Sequence, residues 1–289
     1  MIVAILAAGY GTRLRPLTEE IPKPLLPIGD APMLEHLLSK FAHELPRASV
    51  GINASHLAEQ IDAFRTSTAF PFSCVLEDSA PRGTAGGIRG IREAFDRPKN
   101  TLVWNGDILS EVDAGILVQS HRASDLATLF VIPRAKGEGN VGLLEDGRIV
   151  RLRKSSFGEE TRGGDFVGIH VVGKEIELPQ EGCIVGDVYI PLLDRGARLV
   201  ARELGADFSD IGSLGAYLAA NMAWLGDRES WVHETARVSA KMQHVVVGAG
   251  ATVEGRLENC VVLPGAKFSG TLEGGVVTAR GIVARVSAH

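Results

Sequence analysis

MIVAILAAGYGTRLRPLTEEIPKPLLP, residues 1–27, joins an apolar run to a glycine-rich loop that carries two separated cations. Ile2 to Ala8 is apolar without relief, the pattern of a central parallel strand covered on both faces. The strand ends at Gly9. Gly9 and Gly11 bracket Tyr10, so the backbone can take positive φ, approach a ligand closely and turn its amide N–H groups toward phosphate oxygens. Thr12 adds a hydroxyl, Arg13 a guanidinium fork suited to bidentate phosphate binding, and Lys23, between Pro22 and Pro24, a point charge outside any helix interior. A Walker loop would end in Gly-Lys-Ser/Thr, which does not occur here, and the dinucleotide fingerprint needs a glycine where Leu14 stands. Singly, these residues read equally well as a tight turn with a surface Arg and a surface Lys. Only the whole string is specific.

Outward from the loop, strands and helices alternate. Asp30 is placed to cap a helix with Leu34, Leu37, Leu38 and Phe41 on one stripe, and Ala48 to Asn53 reads as the next strand, completing a βαβ unit. His56 opens a second amphipathic segment with Leu57, Ile61 and Phe64 inward. Asn53 and His56 themselves read first as a turn residue and a helix-entry histidine. Phe72 to Leu76 is a third strand that runs into EDSAPRGTAGG, where Gly83, Ala85 and Gly86 leave room for a planar base or for close packing of the helix marked by Ile88, Ile91 and Phe95.

Thr101 to Trp104 is β-prone and ends in Asn105-Gly106-Asp107, an acid at the carboxyl end of a strand, where open α/β sheets gather their chemistry. A hard divalent cation takes one or two carboxylates together with substrate phosphates. Asp210 is the second acid proposed, in FSDIGS just ahead of a Ser213-capped helix carrying Leu214, Tyr217, Leu218, Met222 and Leu225. Between them, Leu126 to Pro133 reads as a strand and Asp146-Gly147 as the turn of a hairpin, so antiparallel strands extend the parallel sheet. GDVYIPLLDRG predicts a helix from about Asp187.

The remaining features bound the class. At 289 residues and 45% hydrophobic, the chain can bury a large domain and a smaller one, and a net charge of −5 argues against a nucleic-acid partner. Cys74, Cys183 and Cys260 show no CxxC spacing and the eight histidines no HExxH, which suggests neither a disulfide framework nor zinc. The apolar start has no basic leader, so a cytoplasmic protein without a membrane span is expected. After Leu225 the composition turns to Gly and Val. Val246-Val247, Val261-Val262 and Val276-Val277 recur on a fifteen-residue period, with Trp231-Val232 one step earlier. A unit this short cannot bury its apolar face alone and predicts one coil of a β-solenoid, whose open end makes a homo-oligomer plausible.

LAAGYGTRLRPLT followed by PKPLLPIGDAPMLEH closely resembles the signature of the sugar-1-phosphate nucleotidyltransferases, the NDP-sugar pyrophosphorylases, and is nearest to their mannose-1-phosphate guanylyltransferase-like branch. The resemblance implies an α/β catalytic domain over residues 1–228, a Rossmann-like, mostly parallel mixed sheet flanked by helices, and a small left-handed β-helix-like domain over 229–289. It implies Mg²⁺-assisted attack of a sugar 1-phosphate on the α-phosphate of a nucleoside triphosphate, with Arg13 and Lys23 as the principal cations. Leu6, Ala8, Gly9, Gly11, Thr12, Arg13, Glu77, Pro81, Gly83 and Thr84 would then bind the nucleotide. Asn105, Gly142, Lys154 and Phe166 would bind the sugar phosphate, and Asp107 and Asp210 the metal.

Two departures stand out. Glu77 and Asp78 lie farther from Gly83 than the family's acid does, and Arg153 replaces the glutamate expected before Lys154, with Ser155 in place of the following proline. Arginine only donates, so the expected substrate carries an acidic group or is held by other residues. Other outcomes kept open are a uridylyl- or thymidylyltransferase, a phosphocholine cytidylyltransferase-like enzyme, and a non-catalytic nucleotide-sugar-binding regulator. Retention of Lys23 and both aspartates disfavours the regulator.

Overall fold

The computed structural model describes residues 1–77, 80–95 and 99–285, and the chain forms two compact units: Met1–Gly9 with Leu38–Phe208, and Tyr10–Leu37 with the chain from Ser209 onward. The first unit is built on a 10-stranded sheet. Ile2–Leu6 runs parallel between Ser49–Ala54 and Thr101–Asn105, and Ser73–Leu76 adds another parallel strand outside Ser49–Ala54. Ile2, Val3, Ala4 and Ile5 are fully buried, as an unbroken apolar run in a strand covered on both faces requires. Leu6 pairs with both Asn53 and Asn105, so three parallel strands finish level, with the Asn53 amide on the Ala7 N–H and the Asn105 amide over Gly168.

Beyond Thr101–Asn105 the sheet becomes mixed. Arg162–Val172 pairs antiparallel with Thr101–Asn105, Ala127–Arg134 and Val141–Leu143, and Leu199–Glu203 runs parallel to Ala127–Arg134. The predicted hairpin forms between Val141–Leu143 and Ile149–Leu152, with Gly147 at φ 85° in the turn. Ile88 and Ile91 of the Gly83–Glu93 helix pack into one core with Ile2, Ala4, Val103, Tyr189 and Leu193. Burying such side chains contributes roughly 1.5–3 kcal/mol each before chain entropy is counted.

In the second unit the Leu214–Leu225 helix starts at Ser213, whose Oγ accepts the Ala216 N–H at 3.2 Å. The strands Arg237–Val247, Thr252–Val262 and Lys267–Val277 stack in parallel at a fifteen-residue offset, Arg237 opposite Thr252 and Thr252 opposite Lys267. Positive-φ residues recur on the same period: His244, Asn259 and Gly274 at 50°, 50° and 63°, and Gly250 and Gly265 at 67° and 74°. Val245, Val247, Cys260, Val262 and Val277 face one buried core. The last strand, Val283–Arg285, pairs antiparallel, so this sheet is mixed at its end.

Three local expectations are corrected. Asp30 does not cap a helix; it is an exposed turn residue between the two-residue strands Pro27–Ile28 and Ala31–Pro32, and the helix starts at Met33. Gly29 at φ 66° favours the turn. His56 precedes rather than opens its helix, which begins at Ala58 after Leu57 in the left-handed region at φ 51°. The GDVYIPLLD segment turns helical earlier than Asp187, with a π-helical stretch Ile184–Tyr189 leading into Ile190–Asp194; Pro191, which has no N–H to return to the preceding turn, marks the junction.

Candidate active site

The glycine loop belongs to the second unit from Tyr10 on. Gly11 takes the left-handed conformation at φ 61°, ψ 31°, and a Cβ there would meet the Thr18 methyl at 2.7 Å, so both backbone and space require glycine. Thr18 Oγ1 donates to the Gly11 carbonyl at 2.8 Å and closes the turn from beneath. Thr12 and Arg13 are exposed on the 3₁₀ turn Thr12–Leu14, which the buried Leu14 and Leu17 anchor. Lys23 begins the third such turn, Lys23–Leu25, after Leu17–Glu19, and its Cβ lies 3.4 Å from the position of a Cβ on Gly11.

Arg13 and Asp210, far apart in sequence, meet over Gly212. A Cβ on Gly212 would lie 2.6 Å from Arg13 Nη2 and 2.9 Å from Asp210 Oδ1. The Leu214–Leu225 helix ties these parts together from the other side: Tyr217 donates its hydroxyl to the Pro27 carbonyl at 2.7 Å, and Asn221 Oδ1 accepts the Gly29 N–H at 2.9 Å. Gly212 and Asn221 were not singled out by sequence reasoning. A glycine two residues after the acid in DIG was the available signal.

In the first unit, a buried relay joins the strand ends to the expected base-reading segment. Asn53 Oδ1 accepts the Ala7 N–H at 2.8 Å, and Asn53 Nδ2 donates to Glu77 Oε1 at 2.7 Å. Glu77 Oε2 accepts the Arg82 N–H at 2.7 Å. Asn53 is 3% and Glu77 7% exposed, so the Glu77 carboxylate fixes backbone rather than facing solvent. Gly83 and Gly86 lie within the first turn of their helix, where a Cβ would strike the carbonyls of Gly182 and Gln180; their small size serves close packing of the 180–182 backbone. Thr84 Oγ1 accepts the Ile184 N–H at 2.8 Å. Leu6 and Pro81 are partly buried and Ala8 is buried; Asp78 lies outside the described residues.

The expected sugar-phosphate residues share the mixed part of the same sheet. Gly168, at φ 78°, has its α-carbon face covered by Asn105 Nδ2. The Phe166 N–H donates to Asn140 Oδ1 at 2.9 Å, and its ring stands edge-on to His170, centroids 5.4 Å apart. Burial holds the His170 imidazole down at about 3, with the Arg92 charge acting in the same direction, and its Nδ1 is 2.5 Å from the Tyr189 hydroxyl. Lys154 is exposed in the turn between Ile149–Leu152 and Ser155–Ser156.

Arg153 is engaged within the protein: it adopts φ 54°, its N–H donates to the Asn140 carbonyl at 2.7 Å, and Nη2 lies 3.3 Å from Cys183 Sγ. Burial raises the Cys183 thiol, but amide donors from Gly186 and Val185, with Arg153, outweigh it and bring the thiol below its ordinary range. Asp107 follows the Thr101–Asn105 strand and is half-buried, in the first unit; Asp210 is exposed, in the second. No cluster of three or more His, Cys, Asp or Glu side chains able to hold a metal occurs among the described residues. A two-carboxylate set completed by substrate oxygens is the donor chemistry that suits Mg²⁺.

A mixed, mostly parallel sheet with its polar residues collected at level strand ends, followed by a left-handed glycine turn, defines an α/β fold of the nucleotidyltransferase type. Residues 2–153 match the family described as Nucleotidyl transferase, and the chain belongs to that family. It is 31% identical over 239 residues to a UTP--glucose-1-phosphate uridylyltransferase of Synechocystis, covering 75% of this chain and 61% of that one. It is also 29% identical to a mannose-1-phosphate guanylyltransferase of Mycobacterium tuberculosis, covering 86% of this chain and 75% of the relative. Among solved structures, HddC from Yersinia pseudotuberculosis complexed with GMP-PN superposes at TM-score 0.62 with 21% identity, over 77% of this chain and 98% of that one. A UDP-glucose pyrophosphorylase complexed with UDP-glucose gives TM-score 0.60 at 20% identity, over 79% and 100%. These two likenesses speak to the fold.

Proposed function

We propose that this nucleotidyltransferase transfers a nucleoside monophosphate from a nucleoside triphosphate to a sugar 1-phosphate, releasing pyrophosphate. The single observation that carries this is the glycine turn: a left-handed Gly11 closed by Thr18, with Arg13 on the first and Lys23 on the third of three short 3₁₀ turns, in a chain whose relatives are named sugar-phosphate nucleotidyltransferases. Backbone amides of Gly9, Gly11 and Thr12 hold the triphosphate, Arg13 offsets charge at the α-phosphate and the departing pyrophosphate, and Lys23 and Lys154 hold the incoming sugar phosphate. Asp107 and Asp210 are the carboxylates for Mg²⁺, which when bound neutralises phosphate charge. The nucleophilic phosphate oxygen is already anionic at neutral pH, so no general base is needed and positioning supplies the rate.

GTP with mannose 1-phosphate is the leading pair. UTP with glucose 1-phosphate is the second, favoured by the 31% identity to the uridylyltransferase. Pyrophosphate release measured with Mg²⁺, each of five triphosphates and a panel of sugar phosphates and phosphocholine separates these. Turnover of one sugar phosphate supports the proposal; turnover of phosphocholine alone, or of nothing, overturns it.

We also propose residues 229–289 as a separable coil domain. The fifteen-residue offset and recurrent positive-φ corners support a left-handed β-helix with shortened corners, and its end is the surface for self-association. Light scattering of the full chain and of a chain ending at residue 228 tests this. No helix among the described residues is long and apolar enough to cross a membrane, and a cytoplasmic location is part of the proposal.

A further inference from the structure

We infer that Arg153 is a positioning residue for the incoming sugar phosphate: its guanidinium, laid on Cys183, holds the two-residue turn that presents Lys154. This rests on the assignment of Lys154 to the sugar phosphate. Leu152 pairs with Ser155 across an antiparallel hairpin, so Arg153 and Lys154 form a two-residue loop. Arg153 takes φ 54°, a left-handed conformation that glycine usually supplies at the first position of such a loop. An arginine there costs on the order of 1–2 kcal/mol of local strain, and a strained residue persists only where its surroundings hold it. Because Lys154 follows directly, the backbone at 153 sets where Lys154 projects.

Two contacts hold Arg153. Its N–H donates to the Asn140 carbonyl at 2.7 Å, and Asn140 Oδ1 accepts the Phe166 N–H at 2.9 Å, so the loop is tied to the strand carrying another expected sugar-phosphate residue. Its Nη2 lies 3.3 Å from Cys183 Sγ, and the guanidinium passes beside Gly186, where a Cβ would stand 3.8 Å from Nη1. Cys183 is itself fixed. It precedes the helical stretch Ile184–Tyr189, its sulfur lies 3.5 Å from the Gly186 amide nitrogen, and its N–H donates to Asp187 Oδ2 at 2.6 Å. The Ile184 N–H donates to Thr84 Oγ1 at 2.8 Å, and Ile184, Val185 and Tyr189 share one buried core with Leu152. The anchor and the base of the hairpin are therefore packed together, while Arg153 and Lys154 at the tip are exposed, and the guanidinium spans the distance between tip and anchor. Where the family has a glutamate, this chain has a brace for the neighbouring lysine.

The test is steady-state kinetics of wild type, Arg153→Gly, Cys183→Ala and the double variant, with the sugar 1-phosphate that the wild type uses best among the glucose, mannose and N-acetylglucosamine compounds. Arg153→Gly removes the guanidinium but suits the left-handed backbone, so its melting temperature should stay within a few degrees of wild type. Its KM for the sugar phosphate should nevertheless rise roughly three- to tenfold, the range for losing one hydrogen bond, with kcat and the triphosphate KM changed less than about twofold. Cys183→Ala deletes the same contact from the other side, should show the same selective rise, and stands in if Arg153→Gly does not fold. The double variant should rise no further than the larger single one, because both substitutions remove one interaction. An unchanged sugar KM in Arg153→Gly, an equal rise in the triphosphate KM, or effects that multiply in the double variant overturns the inference while leaving the proposed reaction intact. A wild type that turns over none of these sugar phosphates overturns both.

Discussion

The glycine loop and the strands around Gly142 encode their chemistry in opposite ways. The loop is local: Gly11, Thr18 and Lys23 act on one another within a dozen residues, and the turn geometry follows from glycine conformation and a short hydroxyl bond. The strands around Gly142 are assembled from a distance, with Arg151, Glu160, Gly137 and Gly142 brought together only by strand register. A motif can therefore be read where contacts are local and is misread where a partner arrives from another strand. Arg153 is the example, since sequence offered either an acidic substrate group or other residues as substrate ligands, and gave no sign of Cys183, thirty residues on, which the fold sets 3.3 Å from its Nη2.

The largest expected effect falls on the loop. Arg13→Ala should lower turnover on the order of 10²–10³-fold with the fold intact by circular dichroism, and Arg13→Lys should restore little, because a point charge lacks the bidentate fork. Full rescue by lysine would make the loop a general cationic surface. Next, Gly212→Ala would put a methyl 2.6 Å from Arg13 Nη2, so the guanidinium must move. A fall in turnover of about tenfold or more is expected, with a melting temperature shifted by only a few degrees, because the displaced atoms end a flexible side chain. Unchanged kinetics would detach Arg13 from its position over Gly212.

The first unit's part of the comparison is probed through stability. His170 is held neutral in the fold, mainly by burial, whereas the unfolded chain protonates near 6.5. Its folded value is depressed, so its contribution is full above about pH 6.5 and is lost progressively as pH falls toward about 3. Urea midpoints of wild type should decline over that window, and those of His170→Phe should decline less; parallel curves would contradict the account. Asn53→Ala leaves the Ala7 N–H and Glu77 Oε1 without their partner and should cost about 1–3 kcal/mol, accompanied by a higher KM for the triphosphate. A pure stability loss would limit the relay to folding. The smallest effect is expected at Cys183→Ser, which leaves an acceptor for Arg153 and should alter sugar KM less than twofold.

Much of the fold was legible. The unbroken run Ile2–Ala8 named the central strand, Asp146-Gly147 the hairpin, and the valine period the fifteen-residue ladder. What escaped was decided by competition between local signals, as where the turn at Gly29-Asp30 overrode a helix cap, or by contacts across the sheet, as with Asn53 and Glu77. Gly83 and Gly86 belong to the same lesson: small residues signal close approach, and only the fold says that backbone 180–182 makes it.

The central claim is that the glycine loop holds a triphosphate for attack at its α-phosphate by a sugar phosphate. It is tested most directly with α-³²P-labelled triphosphate, Mg²⁺ and the best sugar 1-phosphate. The account predicts one label transferred to sugar nucleotide for each pyrophosphate released, dependent on both substrates and nearly abolished in Arg13→Ala. Label remaining with the free nucleotide, or equal transfer by Arg13→Ala, would contradict it.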